Sequence, residues 1–314
     1  MTNSSRPRVL ADLPLSTTVT EMLQDRVELL PWNTRPGPID AIYTYGHPVV
    51  DGPLLDRFPG AKVVSNFGVG VDHIDVNAAS QRGIPVGNTP GILDGATADL
   101  GFALMMAVGR RVVEGDRYAR GPTFLHYDPS YMLGREIHGS TLGIIGMGRI
   151  GEQVARRAKG FDMKILYHNR TRRPEAEAMT GAKLVSRDEL LASADYVMLC
   201  VPLMPETTCL IGRAELAKMK PTASLINIAR GAVVDTTALT EALTARTIRA
   251  AALDVTDPEP LPRDHPIFKL DNIIITPHLG SASDQTRHKM AELSVENLFA
   301  GLEGRPLTHQ VKNR

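Results

Sequence analysis

The sequence predicts an α/β protein made of two doubly wound parallel-sheet domains, with the active site in the cleft between them. Three observations carry this expectation. Short apolar runs alternate with helical stretches along most of the 314 residues, as parallel strands joined by crossover helices require. Residues 141 to 168, TLGIIGMGRIGEQVARRAKGFDMKILYH, read as strand, glycine-rich turn, helix and second strand. The length also accommodates two domains at about 100–200 residues each.

Taken in order, the chain begins with a strand at Val9 to Leu10 and a helix near Val19 to Asp25. Strands at Ala41 to Thr44 and Lys62 to Ser65 follow, then a helix near Val76 to Arg82. Between the last two, Gly68, Val69, Gly70 and Asp72 form either an anion-binding turn of backbone N–H groups or a loop that stabilises the strand end by packing alone. From Asp94 to Arg120 runs one long helical pattern, with Leu100, Ala103, Leu104, Ala107, Val108 and Val112 on one face and Phe102, Met105 and Met106 on others. A helix apolar on more than one side must be well buried, so it is expected between domains or against a second subunit. Its Met and Phe side chains then read as core or interface rather than as cofactor contacts.

Beyond the glycine-rich turn lie strands at Tyr196 to Val201, Ser224 to Ile228, Ala250 to Asp254 and Asn272 to Thr276. Helices near Arg187 to Ala194, Arg213 to Met219 and Thr237 to Thr244 go with them, and Asp284 to Gly301 is a last helix suited to a return crossing. Residues 97–284 are accordingly assigned to a dinucleotide-binding domain of the Rossmann type. Residues 1–96 and 285–314 are assigned to a substrate-binding (catalytic) domain, both domains being of the Rossmann or flavodoxin-like doubly wound kind.

Composition excludes several classes. Lys plus Arg and Asp plus Glu number 35 each, so no net field favours nucleic acid or an acidic membrane, and a small molecule is the expected partner. Cys200 and Cys209 form no CxxC pattern and support neither a zinc site nor a disulfide framework. No metal is expected, and a reducing cytoplasm fits. The beginning of the chain lacks the apolar core of a secretory signal, and the longest apolar stretch, Phe102 to Val108, is far short of the roughly 20 residues that cross a membrane. A soluble protein is expected.

The glycine-rich turn has the spacing G-x-G-x-x-G at Gly146, Gly148 and Gly151. The first glycine permits a sharp turn, the second lets main chain approach a pyrophosphate, and the third lets the helix pack closely on the sheet. The helix N-terminus then offers N–H groups to the diphosphate. A turn chosen only for close packing is the alternative. The second strand should end in an acid about 20 positions beyond the first glycine if the adenosine ribose keeps a free 2′-hydroxyl. It ends instead in His168, Asn169, Arg170, Thr171, Arg172 and Arg173. Arg170 with Asn169 and Thr171 offers charge-assisted hydrogen bonds to a 2′-phosphate, each worth about 1.5–3 kcal/mol. NADPH/NADP is therefore expected in preference to NADH/NAD, which stays possible; a solvated basic loop is the alternative.

Three polar residues fall at or after strand ends: Arg230 after SLINIA, Glu259 in DPEPLP and His278 after IIITP. Together they would supply a guanidinium fork for a carboxylate and carbonyl, a carboxylate that holds an imidazole, and an imidazole acid. A structural histidine at a strand end is the competing reading.

The segments NFGVGVDHID at 66 to 75, GMGRIG at 146 to 151, NIARGAVVD at 227 to 235, AALDVTDPEPLP at 251 to 262 and TPHLGSAS at 276 to 283 resemble, in order and spacing, the D-isomer-specific 2-hydroxyacid dehydrogenases. The resemblance spans about Ala41 to Ala300, and the NRTRR stretch is similar to the NADP-using glyoxylate/hydroxypyruvate reductase branch. It implies reduction of a small 2-oxo acid to the D-2-hydroxy acid by hydride transfer from the nicotinamide. His278 would be the proton donor, Glu259 would hold it and stabilise its charge, and Arg230 would bind the substrate carboxylate and polarise the ketone. Val69 and Gly70 would receive the carboxylate through backbone N–H groups. Asp254 would bind the nicotinamide carboxamide, and Thr97, Arg149, Ile150, Thr207, Ile228 and Gly280 would line the cofactor.

A homodimer is implied as well. The sequence departs from the family at His168 and in FLHYDPSYM at 124 to 132, a region that in relatives can reach a neighbouring subunit's cleft. Tyr131 or Met132, and Tyr45 and Gly46, would then shape side-chain specificity, or simply pack. Glutamate at position 259 argues against formate dehydrogenase, which resembles a glutamine variant there. A bulkier substrate such as hydroxyphenylpyruvate, or a dinucleotide-sensing binding module of the same fold, are the other readings; the combination of Arg230, Glu259 and His278 favours the enzyme.

Overall fold

The protein is described from a computed structural model, which covers residues 6–12 and 14–312. It divides into two compact units, Met1–Leu93 with Ala282–Arg314, and Asp94–Ser281. The units part three residues before each expected boundary, because Asp94 already opens a helix that packs within the second unit.

The first unit contains β1 (Arg8–Ala11), α1 (Thr17–Leu23), β2 (Glu28–Pro31), β3 (Ala41–Thr44), α2 (Gly52–Arg57), β4 (Val64–Asn66), α3 (Val76–Gln81) and β5 (Val86–Gly87). The strands are parallel in the order β2-β1-β3-β4-β5, the flavodoxin-like arrangement. β3 and β4 are buried along their whole length, as strands of a parallel sheet covered on both faces must be. Ser16, Asp51 and Asp75 cap the three helices by accepting from backbone N–H groups. β2 leaves no clear sign in the sequence, since its ELLP run buries only Leu30 and ends in proline, as an edge strand can.

The second unit contains α4 (Asp94–Gly109), α5 (Val112–Ala119), β6 (Thr141–Ile145), α6 (Arg149–Lys159), β7 (Lys164–His168), α7 (Pro174–Thr180), β8 (Lys183–Leu184), α8 (Arg187–Ser193), β9 (Tyr196–Leu199), α9 (Arg213–Lys218), β10 (Ser224–Asn227), α10 (Thr236–Thr244), β11 (Ala250–Leu253) and β12 (Ile273–Ile275). Its seven parallel strands run β12-β11-β10-β9-β6-β7-β8, which is the Rossmann order with one strand appended. Alternate strand residues feed two cores. Ile145, Leu199 and Leu225 pack with Leu190, Leu216 and Leu239, whereas Ile144, Met198 and Ile226 pack with Phe102, Met105 and Val154.

The pattern from Asp94 to Arg120 is two helices, not one. Arg111 takes a left-handed φ of +55°, and the Gly109 carbonyl accepts from the Arg135 N–H at 2.8 Å. Gly109 is also a poor place for a side chain, since a Cβ there would lie 2.6 Å from the Tyr196 hydroxyl. The buried stripe is rotated from the expected one: Phe102 and Met105 lie in the core and Ala103 is exposed. The reason is that α4 packs on α6 and on β10 and β11 of its own unit.

The chain returns to the first unit with α11 (Asp284–Leu302), capped by Ser283, which packs against α1, β3, β4 and β5. Among the described residues no helix is long and apolar enough to cross a membrane.

Candidate active site

In the second unit, the residues singled out from the sequence gather at the carboxyl ends of the strands, where doubly wound sheets bind ligands. β6 runs into Gly146, whose φ of +99° is open to glycine and whose added Cβ would lie 2.7 Å from the Cys200 carbonyl oxygen. A Cβ on Gly151 would run into the Gly146 carbonyl oxygen. Gly148 differs, because a Cβ there would meet no protein atom within 4 Å. Gly148 is also the N-cap of α6 and brings no side chain to the first-turn N–H groups, whereas Ser186, Asp235 and Ser283 bring one for α8, α10 and α11. An exposed glycine and uncapped N–H groups at a helix start fit a diphosphate.

At the end of β7, Asn169 links the glycine turn to the basic loop. Its Oδ1 accepts from Met147 N at 3.4 Å and its Nδ2 donates to the Thr171 carbonyl at 2.8 Å. His168 turns its Nδ1 toward the Val185 carbonyl, 3.2 Å away. Arg172 is committed to Glu177 at 2.7 Å, and Glu177 also accepts from the Tyr167 hydroxyl. Arg172 and then Tyr167 hold the Glu177 carboxyl below the ordinary carboxylate range. Arg170 is exposed and makes no ion pair among the described residues. Asn169, Arg170 and Thr171 thus sit together, with Arg170 as the available cation.

The catalytic candidates are held from below by buried polar side chains. Asn227, the last residue of β10, accepts from Ala229 N at 3.0 Å and donates to the Arg230 carbonyl at 2.9 Å, which fixes the turn that carries Arg230. A Cβ on Gly231 would collide with the Thr256 carbonyl, so this turn and the segment leading to Glu259 run in direct contact. After β11, Asp254 is 2% exposed and accepts from Thr276 Oγ1 at 2.6 Å, Leu279 N at 2.7 Å and Gly280 N at 2.8 Å. Its carbonyl accepts from His278 N at 2.9 Å, and His278 itself has a left-handed φ of +57°. The outcome is a His278 Nδ1 to Glu259 Oε1 distance of 2.7 Å.

The remaining cofactor candidates divide. Thr97 is buried beside Gly280, where a Cβ on the glycine would lie 3.3 Å from Thr97 Cγ2. Arg157 of α6 anchors this end of α4 through Asp99 and the Gly95 carbonyl. Ile228 is buried among Phe102 and Met198. The Thr207 hydroxyl accepts from Met204 N at 2.8 Å and donates to the Pro202 carbonyl at 2.7 Å, and so holds its own turn. Arg149 is exposed and Ile150 half-buried at the start of α6. Burial pushes the carboxyl of Asp94 up, against a smaller opposing effect of Arg149.

In the first unit, Val69 and Gly70 lie in the loop after β4. The carbonyls of Gly68, Val69 and Gly70 accept from side-chain amides, and the N–H groups of Val69 and Gly70 have no acceptor among the described residues. The N–H groups of Tyr45 and Gly46 are taken by the Asp12 carboxylate, each at 2.6 Å. Tyr131 is exposed and its ring lies 4.9 Å from that of Tyr118, while Met132 is half-buried with φ +56°. Sequence reasoning missed Asn66, Asn88, Asn227 and Gly231; asparagines at or just after strand ends are the signal that could have found three of them.

Known proteins with similar sequences and structures bear on this site. Residues 102–280 match the family model of the D-isomer specific 2-hydroxyacid dehydrogenase, NAD binding domain. The glyoxylate reductase of Thermococcus litoralis is 48% identical over 270 residues, which cover 85% of this chain and 81% of that protein. A solved protein from Thermus thermophilus has a TM-score of 0.89 at 45% identity, covering 97% of this chain and 100% of that one. The NADPH-dependent glyoxylate/hydroxypyruvate reductase of Sinorhizobium meliloti, solved with NADP and malonate, has a TM-score of 0.88 at 31% identity, covering 98% of this chain and 97% of that one. The chain therefore belongs to the D-isomer specific 2-hydroxyacid dehydrogenases, a family of oxidoreductases.

Proposed function

We propose that this enzyme reduces a small 2-oxo acid, of the glyoxylate or hydroxypyruvate type, to the D-2-hydroxy acid with NADPH. The observation that carries the reading is the 2.7 Å pair of His278 and Glu259, set beside the turn of Arg230 by the contact at Gly231. The nicotinamide, when bound, supplies the hydride. His278 gives a proton from Nε2 to the oxygen that becomes the alkoxide, because Glu259 occupies Nδ1 and fixes the ring's orientation. Arg230 presents a planar fork to the carboxylate and the reacting carbonyl. Val69 and Gly70 receive the carboxylate through their N–H groups. The role of the protein is then orientation and charge stabilisation rather than covalent chemistry.

The cofactor-binding residues follow the same logic. Gly146, Gly148, Arg149, Ile150 and Gly151 form the diphosphate turn, and Asn169, Arg170 and Thr171 take the 2′-phosphate. An ionised carboxylate offers about four lone-pair sites. Three donors already occupy Asp254, so it both holds the His278 loop and keeps one site for the carboxamide. Thr97, Thr207, Ile228 and Gly280 line the cofactor. Support for NADPH comes from the absence of an acid at His168, from the available Arg170, and from the NADP complex of the Sinorhizobium meliloti relative. The active form is a homodimer, supported by the exposed apolar segment around Leu125 and Tyr127. Free Cys200 and Cys209 suit a reducing cytoplasm.

The test is a panel of 2-oxo acids, including glyoxylate, hydroxypyruvate, pyruvate and hydroxyphenylpyruvate, assayed with NADPH and NADH in parallel by loss of nicotinamide absorbance. Glyoxylate or hydroxypyruvate with NADPH should give the highest kcat/KM. Equal or better rates with NADH would overturn the cofactor assignment. Binding of NADPH without turnover of any acid would replace the enzyme with a sensing module.

A further inference from the structure

The loop after β4 is held by a buried amide. Asn66 ends β4 and is 1% exposed. Thr44 donates its hydroxyl to Asn66 Oδ1 at 2.8 Å, and Asn66 Nδ2 donates both of its protons, to the Gly68 carbonyl at 2.8 Å and the Gly70 carbonyl at 2.9 Å. Two carbonyl partners on one end of the amide identify that end as nitrogen. Asn88 Nδ2 donates to the Val69 carbonyl at 2.9 Å, and Asn297 of α11 donates in turn to the Asn88 carbonyl at 3.2 Å. Three consecutive carbonyls are therefore claimed by side-chain amides, while the N–H groups of Val69 and Gly70 find no acceptor among the described residues. A turn whose carbonyls are all drawn to internal donors presents its N–H groups as an anion-binding concavity.

We propose that Asn66 is a positioning residue for substrate binding: by holding the Gly68 and Gly70 carbonyls it aims the N–H groups of Val69 and Gly70 at the carboxylate of the 2-oxo acid, with Asn88 as the second anchor. The inference rests on the reading that these N–H groups receive the carboxylate. Hydrogen bonds weaken steeply with misalignment. Bonds to a charged acceptor are about twice as strong as neutral ones, so a small rotation of the loop falls on carboxylate affinity before it falls on anything else.

Asn66→Asp keeps the shape of the side chain but removes both donors and sets an acid against two carbonyl oxygens. Asn88→Asp does the same to the Val69 carbonyl. In the NADPH-bound enzyme, both variants should raise the glyoxylate KM and the inhibition constant of oxalate, an unreactive carboxylate, roughly ten- to a hundredfold. The NADPH dissociation constant, read by nicotinamide fluorescence, should be unchanged and kcat less affected than KM. A purely structural role would reduce the amount of folded enzyme and leave KM and the oxalate constant of the folded fraction untouched, and that result overturns the proposal. Should Asn66→Asp not fold, the same readouts on Asn88→Asp decide. Val69→Pro removes the N–H group itself. Unchanged carboxylate affinity in that variant defeats the underlying reading, whereas weakened affinity there with unchanged values in the asparagine variants defeats only the assignment of Asn66.

Discussion

His278 is the residue whose chemistry is most exposed to a direct test. Its ring is oriented by Glu259 and its backbone by Asp254, so truncating the side chain leaves the loop's other bonds in place. His278→Ala should lower kcat by about 10²–10⁴, the usual contribution of a general acid. NADPH affinity, read by fluorescence titration, should stay near that of the unaltered enzyme. Undiminished turnover would remove His278 from the mechanism. Arg230→Ala should behave differently, raising KM and lowering kcat together, because in the proposed role its fork would be used in both ground and transition states. A change confined to cofactor affinity would defeat that role. At this scale the polar residues proposed to touch a ligand stand in recognisable strings at strand ends, and their positions are legible from the sequence. The residues that aim them are not. Asn66 and Asn227 matter because particular carbonyls come within hydrogen-bond reach of their amides, and Gly231 because the Thr256 carbonyl occupies the place of its Cβ. Those coincidences are set by tertiary packing and leave no periodic trace.

Elements are legible in proportion to how far burial alone explains them. β3, β9, β10 and β11 are buried at every position, and their mainly apolar runs are legible even where a buried polar residue closes the strand, as Thr44 and Asn227 do. β2 buries only Leu30 and has no such run, and α4 ends where a left-handed Arg111 and the contact of Gly109 with Tyr196 override an unbroken apolar pattern. The order of the strands rests on joints that can be tested by pH. Asp195, just before β9, accepts from Thr141 N and from Lys220 Nζ, each at 2.9 Å, and its own backbone bonds to Thr141 and Ser224. Burial raises its carboxyl, but the bonds from Lys220 and Thr141 outweigh this and leave it below the ordinary value. A carboxyl lowered on folding contributes stability that is present above its unfolded pKa of about 3.9 and is lost as pH falls through the folded value. Asp195→Asn should therefore destabilise the protein near neutral pH, by about 1 kcal/mol once solvent screening is allowed for. In urea unfolding the gap between the two proteins should shrink from about pH 7 to about pH 3. A gap that stays constant over that range would show that the charge of Asp195 does not contribute.

At the scale of the whole molecule, the second unit carries apolar surface that its own core does not use. Leu125 is 83% exposed and Tyr127 81%, with Val112, Phe124, Tyr131 and Leu133 also exposed. The segment has a defined shape, because Tyr118 packs edge-on against Phe124 and at a tilt against Tyr131. Fully burying one such side chain is worth about 1.5–3 kcal/mol, so a surface of this kind is costly to leave in water. The equal numbers of acidic and basic residues also leave no net charge to keep copies apart. A second copy of the chain is the proposed occupant. Sedimentation of the native protein at micromolar concentration should give a dimer, and Leu125→Glu combined with Tyr127→Glu should shift it toward monomer. The dissociation constant should rise about a hundredfold or more, corresponding to roughly 3 kcal/mol. The glycine turn at 146–151 and Asn169, Arg170 and Thr171 lie outside the segment, so NADPH binding to the separated chains should persist, and any loss of turnover would then report what the partner contributes to the site. A native protein that sediments as a monomer would leave this surface without its proposed occupant and require a different explanation for the exposed leucine and tyrosine.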